Sequence, residues 1–303
     1  MCCLFGLLDY GHRLTNKQKT RLLTALALAA EERGTDATGI AYNSGQELRI
    51  YKRPLPAHRV HFRLPNDAFF LMGHTRMMTQ GTARKSCNNH PFLGNTEEGP
   101  FALAHNGVLY NDSILRQSIP LPKTKTETDS YVAVQLLEQK GVLTFQSLQY
   151  MAELVEGSFS FTLLDQKNSF WLVKGDSPFC LYNYPGLGLY VYASTEQILQ
   201  KALHRAKLQA AHKKINCYEG DLLCIDAQGI CTYGSFAPST YRSWYTGPWS
   251  NHTGMFGSKK NTYLEDIKAV AASFGYTPDA IDRLADLGFE AEELEEMLYC
   301  GEL

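Results

Sequence analysis

Cys2 stands directly after the initiator methionine, and its chemistry depends on that place. Removal of Met1 would put a thiol and a free α-amino group on the same residue. A free α-amine titrates near ~8 and a thiol near ~8.5, so a proton can pass between them at neutral pH. Such a residue carries its own base and can attack an amide carbonyl, as N-terminal threonine nucleophiles do. The plainer reading is a buried thiol in the first strand. Cys3 supplies a second thiol, but only residue 2 gains the amine when methionine is trimmed. The eight cysteines, at positions 2, 3, 87, 180, 217, 224, 231 and 300, contain no C-x-x-C pair. That spacing weighs against a structural zinc site, and a chain this long needs no disulfide framework. The other cysteines read as small apolar residues of a protein kept in a reducing compartment.

Six segments follow one another in a definite order. They are Met1-Cys2-Cys3-Leu4-Phe5-Gly6; Arg33-Gly34-Thr35-Asp36-Ala37-Thr38-Gly39; Gly73-His74-Thr75-Arg76 with Thr79 and Gly81; Asn89-His90-Pro91-Phe92; His105-Asn106-Gly107 with Asn111; and Glu127-Thr128-Asp129-Ser130. This series resembles the class II glutamine amidotransferases, a family of N-terminal-nucleophile hydrolases. Their patterns read M-C-G-I-F-G, R-G-x-D-S-x-G, G-H-T-R-x-x-T-x-G, H-N-G-x-x-x-N and E-T-D-T. The likeness extends over roughly residues 2 to 230, and order makes the set far more specific than any single match.

The resemblance implies a role for each matching position. Cys2 attacks the side-chain amide of L-glutamine, forms a glutamyl thioester and releases ammonia; water then yields glutamate. The Asn106 side chain and the Gly107 backbone N–H stabilise the oxyanion. Arg76, helped by Thr79, holds the substrate carboxylate, and Asp129 holds its ammonium. Arg33 lies near the nucleophile and biases its thiolate. Each has a bland counterpart: a turn at Asn106-Gly107, a surface ion pair at Arg76, a helix cap at Asp129, a helix-end arginine at Arg33. His74, His90 and His105 are expected to be hydrogen-bonded structural residues, since the amine already serves as base. One departure from the pattern is Cys3, where the family has glycine.

These residues need a scaffold. Cys3 to Leu8 reads as an apolar strand, and a helix capped by Thr15 or Asn16 runs through Glu32. Gly39–Tyr42 and Glu47–Lys52 pair around Asn43-Ser44-Gly45. Phe69–Thr75 and Phe101–His105 are strands, with Asn106-Gly107 turning the chain after the second. Asp129–Gln139 is a helix. Strands follow at Ser158–Asp165, Ser169–Lys174, Pro178–Tyr182 and Gly188–Ala193, then a helix at Thr195–Lys207 and strands at Asp221–Ile225 and Gly229–Tyr233. Helices inserted in clusters, without βαβ alternation, argue for an α+β sandwich; the resemblance makes it a four-layer αββα sandwich. Residues 2–233 form that domain. Residues 234–260, rich in Ser, Gly, Pro, Tyr and Trp, read as a linker or docking arm. Residues 261–303 read as a small helical module whose acids Glu290, Glu292, Glu293, Glu295 and Glu296 form a solvated face.

The formal net charge of the 303 residues is −2, so no basic excess is available for nucleic acid. No apolar run is long enough to span a bilayer, and the N-terminus lacks the basic region of a signal peptide, so a cytoplasmic location is expected. No cofactor, metal or nucleotide signature stands out. The expected partners are L-glutamine, a separate ammonia-using synthase and, as a homo-oligomer, further copies of the chain. Two other functions compete: an amidohydrolase acting on another γ-glutamyl amide, and a non-catalytic scaffold or sensor working through the C-terminal module.

Overall fold

A computed structural model describes residues 2–238, positions 264, 267, 268, 270 and 271, and residues 276–300. Most of the expected linker and the opening of the C-terminal module lie outside the described residues, as does Met1.

The first strand shows how the layers form. Along β1 (Cys3–Leu8), successive side chains point to opposite faces. Cys3, Phe5 and Leu7 join an apolar cluster with Leu22, Leu23 and Leu26 of α1 (Asn16–Ala30) and Ile198, Leu199 and Leu203 of α5 (Glu196–Ala206). Leu4 and Leu8 face the other way, against Ala102, Ala104, Leu164, Leu172 and Leu223 of a second sheet. Phe101 and Leu103, on the far face of that sheet, pack on α3 (Tyr131–Lys140) and α4 (Phe145–Leu154) through Val132, Leu136, Leu148 and Met151. The order is therefore helix, sheet, sheet, helix: the expected αββα sandwich.

Both sheets are antiparallel. The first has the order β11 (Lys213–Ile215), β9 (Cys180–Tyr184), β10 (Leu189–Ala193), β1, β4 (Phe70–Arg76), β2 (Ala37–Ser44), β3 (Glu47–Arg53). The second runs β13 (Cys231–Ser235), β12 (Asp221–Ile225), β8 (Phe170–Lys174), β7 (Gly157–Asp165), β6 (Gly99–Leu109), β5 (Phe92–Thr96). β1 lies inside the first sheet, between β10 and β4, so its register fixes the N-terminus firmly. The α1 helix begins with a reciprocal cap, in which Thr15 accepts from the Gln18 N–H and the Gln18 side chain accepts from the Thr15 N–H.

Three expectations require correction. Asn106 and Gly107 do not turn the chain: both are inside β6, paired with Ser160 and Phe159 of β7. The Asn-Gly pair favours a turn only when no ladder competes, and here pairing continues to Leu109. The helix expected from Asp129 begins at Tyr131, with Ser130 at its N-cap position, so Asp129 is not the cap. β5, β11, α4 and the short α2 (Asp112–Ser118) were not expected. Beyond the closing strand, Phe236 packs into the core of the second sheet. In the C-terminal region, α6 (Pro278–Asp286) and α7 (Ala291–Cys300) pack around Ile267, Val270, Ile281, Leu294 and Leu298. Among the described residues no helix is long and apolar enough to cross a membrane.

Candidate active site

Cys2 precedes β1, one step beyond the Cys3–Thr75 pair, which brings it beside the end of β4 at Arg76. Its Sγ donates a long contact, 3.5 Å, to the Met77 carbonyl. Its own carbonyl accepts from Arg33 Nε at 3.0 Å. Cys2, Arg76, Thr79, His105, Gly107 and Asp129 line one pocket, which encloses about 250 Å³ counted out to its open mouth. Met77, Gln80, His90, Thr128 and Ser130 complete its wall.

The charged groups are fixed before any ligand arrives. Arg76 is buried, and donates from Nη1 to Asn89 Oδ1 (2.7 Å) and from Nη2 to the carbonyls of Gln80 (2.5 Å) and Gly81 (2.8 Å). Three of the five guanidinium hydrogens thus shape the loop after β4. Burial works against the Arg76 charge, while Cys2, Asp36 and Asp129 support it. Asp129, also buried, accepts the Leu109 N–H at 2.6 Å through Oδ2, tying the end of β6 to the start of α3. Burial pushes the Cys2 thiol upward; the terminal charge, the Met77 backbone and Arg76 draw it down, and Asp129 raises it. For Cys3 burial dominates and the thiol is pushed up to about 11. Cys3 packs in the core, so the larger side chain is accommodated as an apolar residue.

Residues 74–201 match the family model described as a glutamine amidotransferase domain. Among curated relatives, glutamine–fructose-6-phosphate aminotransferase (isomerizing) of Staphylococcus aureus is 29% identical over 238 residues, covering 76% of this chain and 38% of that protein. The Staphylococcus epidermidis protein of the same name is 30% identical over 187 residues, covering 59% and 30%. The solved structure of glutamine phosphoribosylpyrophosphate amidotransferase from B. subtilis, complexed with ADP and GMP, aligns with a TM-score of 0.61 at 20% identity, over 90% of this chain and 58% of that one.

Over residues 74–201 the chain matches the glutamine amidotransferase domain family. It spans 38% of the length of the first of these curated relatives, and the likeness to the solved structure is one of fold.

Several motif residues turn out to build the pocket's frame. The Asp36 backbone N–H donates to the Arg76 carbonyl at 2.9 Å, and its carboxylate accepts the Met78 N–H at 2.6 Å. A Cβ on Gly34 would come within 2.4 Å of the Arg76 backbone, so glycine is required for that close approach. Asn88 accepts from the Glu127 N–H and donates to the Glu127 carboxylate, joining the loop to the segment that carries Asp129. Asn88, Asn89 and Asp36 were missed as contributors, although all three lie in or beside the quoted motifs. Arg33 reaches Cys2 through the backbone carbonyl and is not part of the pocket lining.

Asn106 needs separate treatment. His105 and Gly107 line the pocket, and Asn106 lies between them, wholly buried. Strand alternation places it in the row of Ala102 and Ala104, the inter-sheet face that Leu4 also occupies. Neither its Oδ1 nor its Nδ2 has a hydrogen-bond partner. Gly107 has φ +132°, and a Cβ there would come within 2.0 Å of the Ser158 carbonyl oxygen.

The histidines divide. His74 Nε2 bonds the His105 carbonyl at 2.9 Å, and His105 Nδ1 bonds Ser130 Oγ at 2.7 Å, as expected of structural residues. His90 departs from that expectation. Its ring lies tilted against those of His74 and Phe92, yet neither ring nitrogen has a partner. Among the described residues, no three His, Cys, Asp or Glu side chains are grouped to hold a metal. Burial drives His74 down to about 3 and lowers His90 and His105 as well.

This makes stability pH-dependent with a definite sign. Between the ordinary ~6.5 and the folded value of about 3, the unfolded chain takes up a proton at His74 that the folded chain refuses. The stability is full above pH ~6.5 and is lost as pH falls through that window. His74→Gln is expected to flatten the dependence by up to ~1.4 kcal/mol per pH unit. Urea midpoints at several pH values between neutrality and acid measure it; parallel curves for both proteins would contradict the assignment.

Proposed function

We propose that the chain hydrolyses L-glutamine to L-glutamate and ammonia, with Cys2 as nucleophile once Met1 is removed. The observation that carries this reading is the presence of a thiol, a guanidinium and a carboxylate, those of Cys2, Arg76 and Asp129, on the wall of one small pocket. A zwitterionic amino acid with a side-chain amide complements that set: carboxylate to Arg76 and Thr79, ammonium to Asp129, amide carbon to sulfur. Cys2 Sγ adds to the carbonyl carbon while its proton passes to the α-amine. The oxyanion is held by Asn106 Nδ2 and the Gly107 N–H. Collapse breaks the C–N bond, the α-ammonium returns a proton to the leaving nitrogen, and ammonia departs. Water, deprotonated by the same amine, cleaves the thioester to glutamate and the thiol. Arg33 fixes the Cys2 carbonyl and so orients the nucleophile. Residues 2–233 carry this activity, in the cytoplasm, and a separate synthase consumes the ammonia.

The test is glutamate release by the full chain with a native N-terminus, over glutamine, asparagine and γ-glutamyl alkylamides. Glutamine should be turned over with at least ~10²-fold higher kcat/KM than asparagine, whose shorter side chain cannot place its amide at sulfur while both charged ends are held. Faster turnover of γ-glutamyl alkylamides than of glutamine would transfer the assignment to a γ-glutamyl amidohydrolase. No turnover of any amide by protein with a verified N-terminal Cys2 would leave the scaffold reading.

A further inference from the structure

The acids of the C-terminal module are not all solvated. Glu295, on α7, is buried, with its side chain only 3% exposed, and it forms an ion pair with Arg33 Nη1, whose side chain is equally buried. Its companion Glu293 on the same helix is exposed. The two partners are separated by 262 positions in sequence. Arg33 in turn donates Nε to the Cys2 carbonyl at 3.0 Å. A second contact reaches the other side of the same residue. Met77, whose carbonyl accepts the Cys2 thiol, packs against the apolar cluster of Ile267, Ala271, Leu294 and Leu298. The C-terminal helices therefore touch both the group that holds the Cys2 backbone and the group that receives its sulfur.

We propose that Glu295 is a positioning residue for the nucleophile, acting through Arg33, and that the C-terminal helices are thereby a working part of the active site. The physical case rests on geometry. A guanidinium held at one nitrogen by a carboxylate has a fixed plane, and a fixed plane aims its Nε–H. Loss of Glu295 withdraws a buried carboxylate from that cation, which must then shift or recruit water. Either response releases the Cys2 carbonyl. The inference rests on the reading of Cys2 as nucleophile, but its geometric half can be measured without turnover.

The experiment compares wild type, Glu295→Gln, Glu295→Asp, Arg33→Met and the double variant Arg33→Met/Glu295→Gln, all as full chains. Iodoacetamide labelling of Cys2, followed by mass spectrometry, reports its release, with the exposed Cys87 as internal reference. Glu295→Gln should speed Cys2 labelling about tenfold and leave Cys87 within about twofold, because a freed and less shielded thiol reacts faster. kcat for glutamine should fall about tenfold with KM nearly unchanged. Glu295→Asp, which keeps the charge, should restore much of both. In the Arg33→Met background, Glu295→Gln should have little further effect, since its action passes through Arg33. Labelling that shows this non-additive pattern in a chain without turnover supports positioning and counts against the glutaminase reading alone. A Glu295→Gln chain with a lowered Tm but wild-type Cys2 labelling, or effects that add fully on Arg33→Met, would overturn the proposal.

Discussion

A chain that retains any residue ahead of Cys2 is expected to hydrolyse glutamine at least ~10³-fold more slowly than one beginning at Cys2, although every side chain of the site is intact. The reason lies in what else could take the thiol proton. Burial pushes the Cys2 thiol upward, so it needs a base. Of the imidazoles near the pocket, His105 has its Nδ1 engaged by Ser130, and His74 Nε2 is bound to the His105 carbonyl. Burial depresses the pKa of both and with it their strength as bases. His90 remains, with two unpartnered nitrogens, but its pKa lies well below the usual histidine value. A peptide-bonded Cys2 therefore has no adequate acceptor. The measurement is glutamate release by matched preparations, with mass spectrometry confirming each N-terminus. Cys2→Ala should be inactive in either form. A fully active extended chain would make His90 the base, and loss of that residual activity in His90→Phe would confirm the substitution of roles.

Legibility from sequence followed the range of the interactions involved. β1 and β12 lie where their apolar runs place them, and α1 starts at the Thr15 cap, because these signals are local. α4 was missed although Thr144 caps it: its third residue is Ser147, which completes the reciprocal cap without the Glu or Gln that usually marks one. β5 contains Gly94 and Asn95, poor strand formers by themselves, and is held by pairing with β6. The same ladder effect carries Asn106-Gly107 straight through β6. At the site, the motifs were visible but their division of labour was not. Asp36 and Asn89 have side chains suited to chemistry, yet they shape the loop around Arg76. From sequence Glu295 reads as one acid of a solvated face, because nothing near it signals a partner at Arg33.

Asn106→Ala should separate stability from activity in opposite directions. A buried primary amide with neither atom bonded is unfavourable, by ~1–3 kcal/mol for a typical unsatisfied polar group. Removing it leaves a small cavity, whose cost offsets part of that gain. The folded chain should therefore lose little stability, and a modest rise in Tm is the expected result. The rate should nevertheless fall about 10²–10³-fold, the usual consequence of losing one oxyanion donor. KM should move far less than kcat, since the amide acquires its partner only as negative charge develops on the substrate oxygen. Asn106→Asp sharpens the comparison: it is nearly isosteric, but it presents a carboxylate where an anion must form, and its loss of rate should be at least as large. Equilibrium urea unfolding and steady-state kinetics on the same preparations supply both quantities. An Asn106→Ala chain that unfolds readily but turns over normally would make Asn106 a packing residue, and the oxyanion would then rest on the Gly107 N–H and another donor.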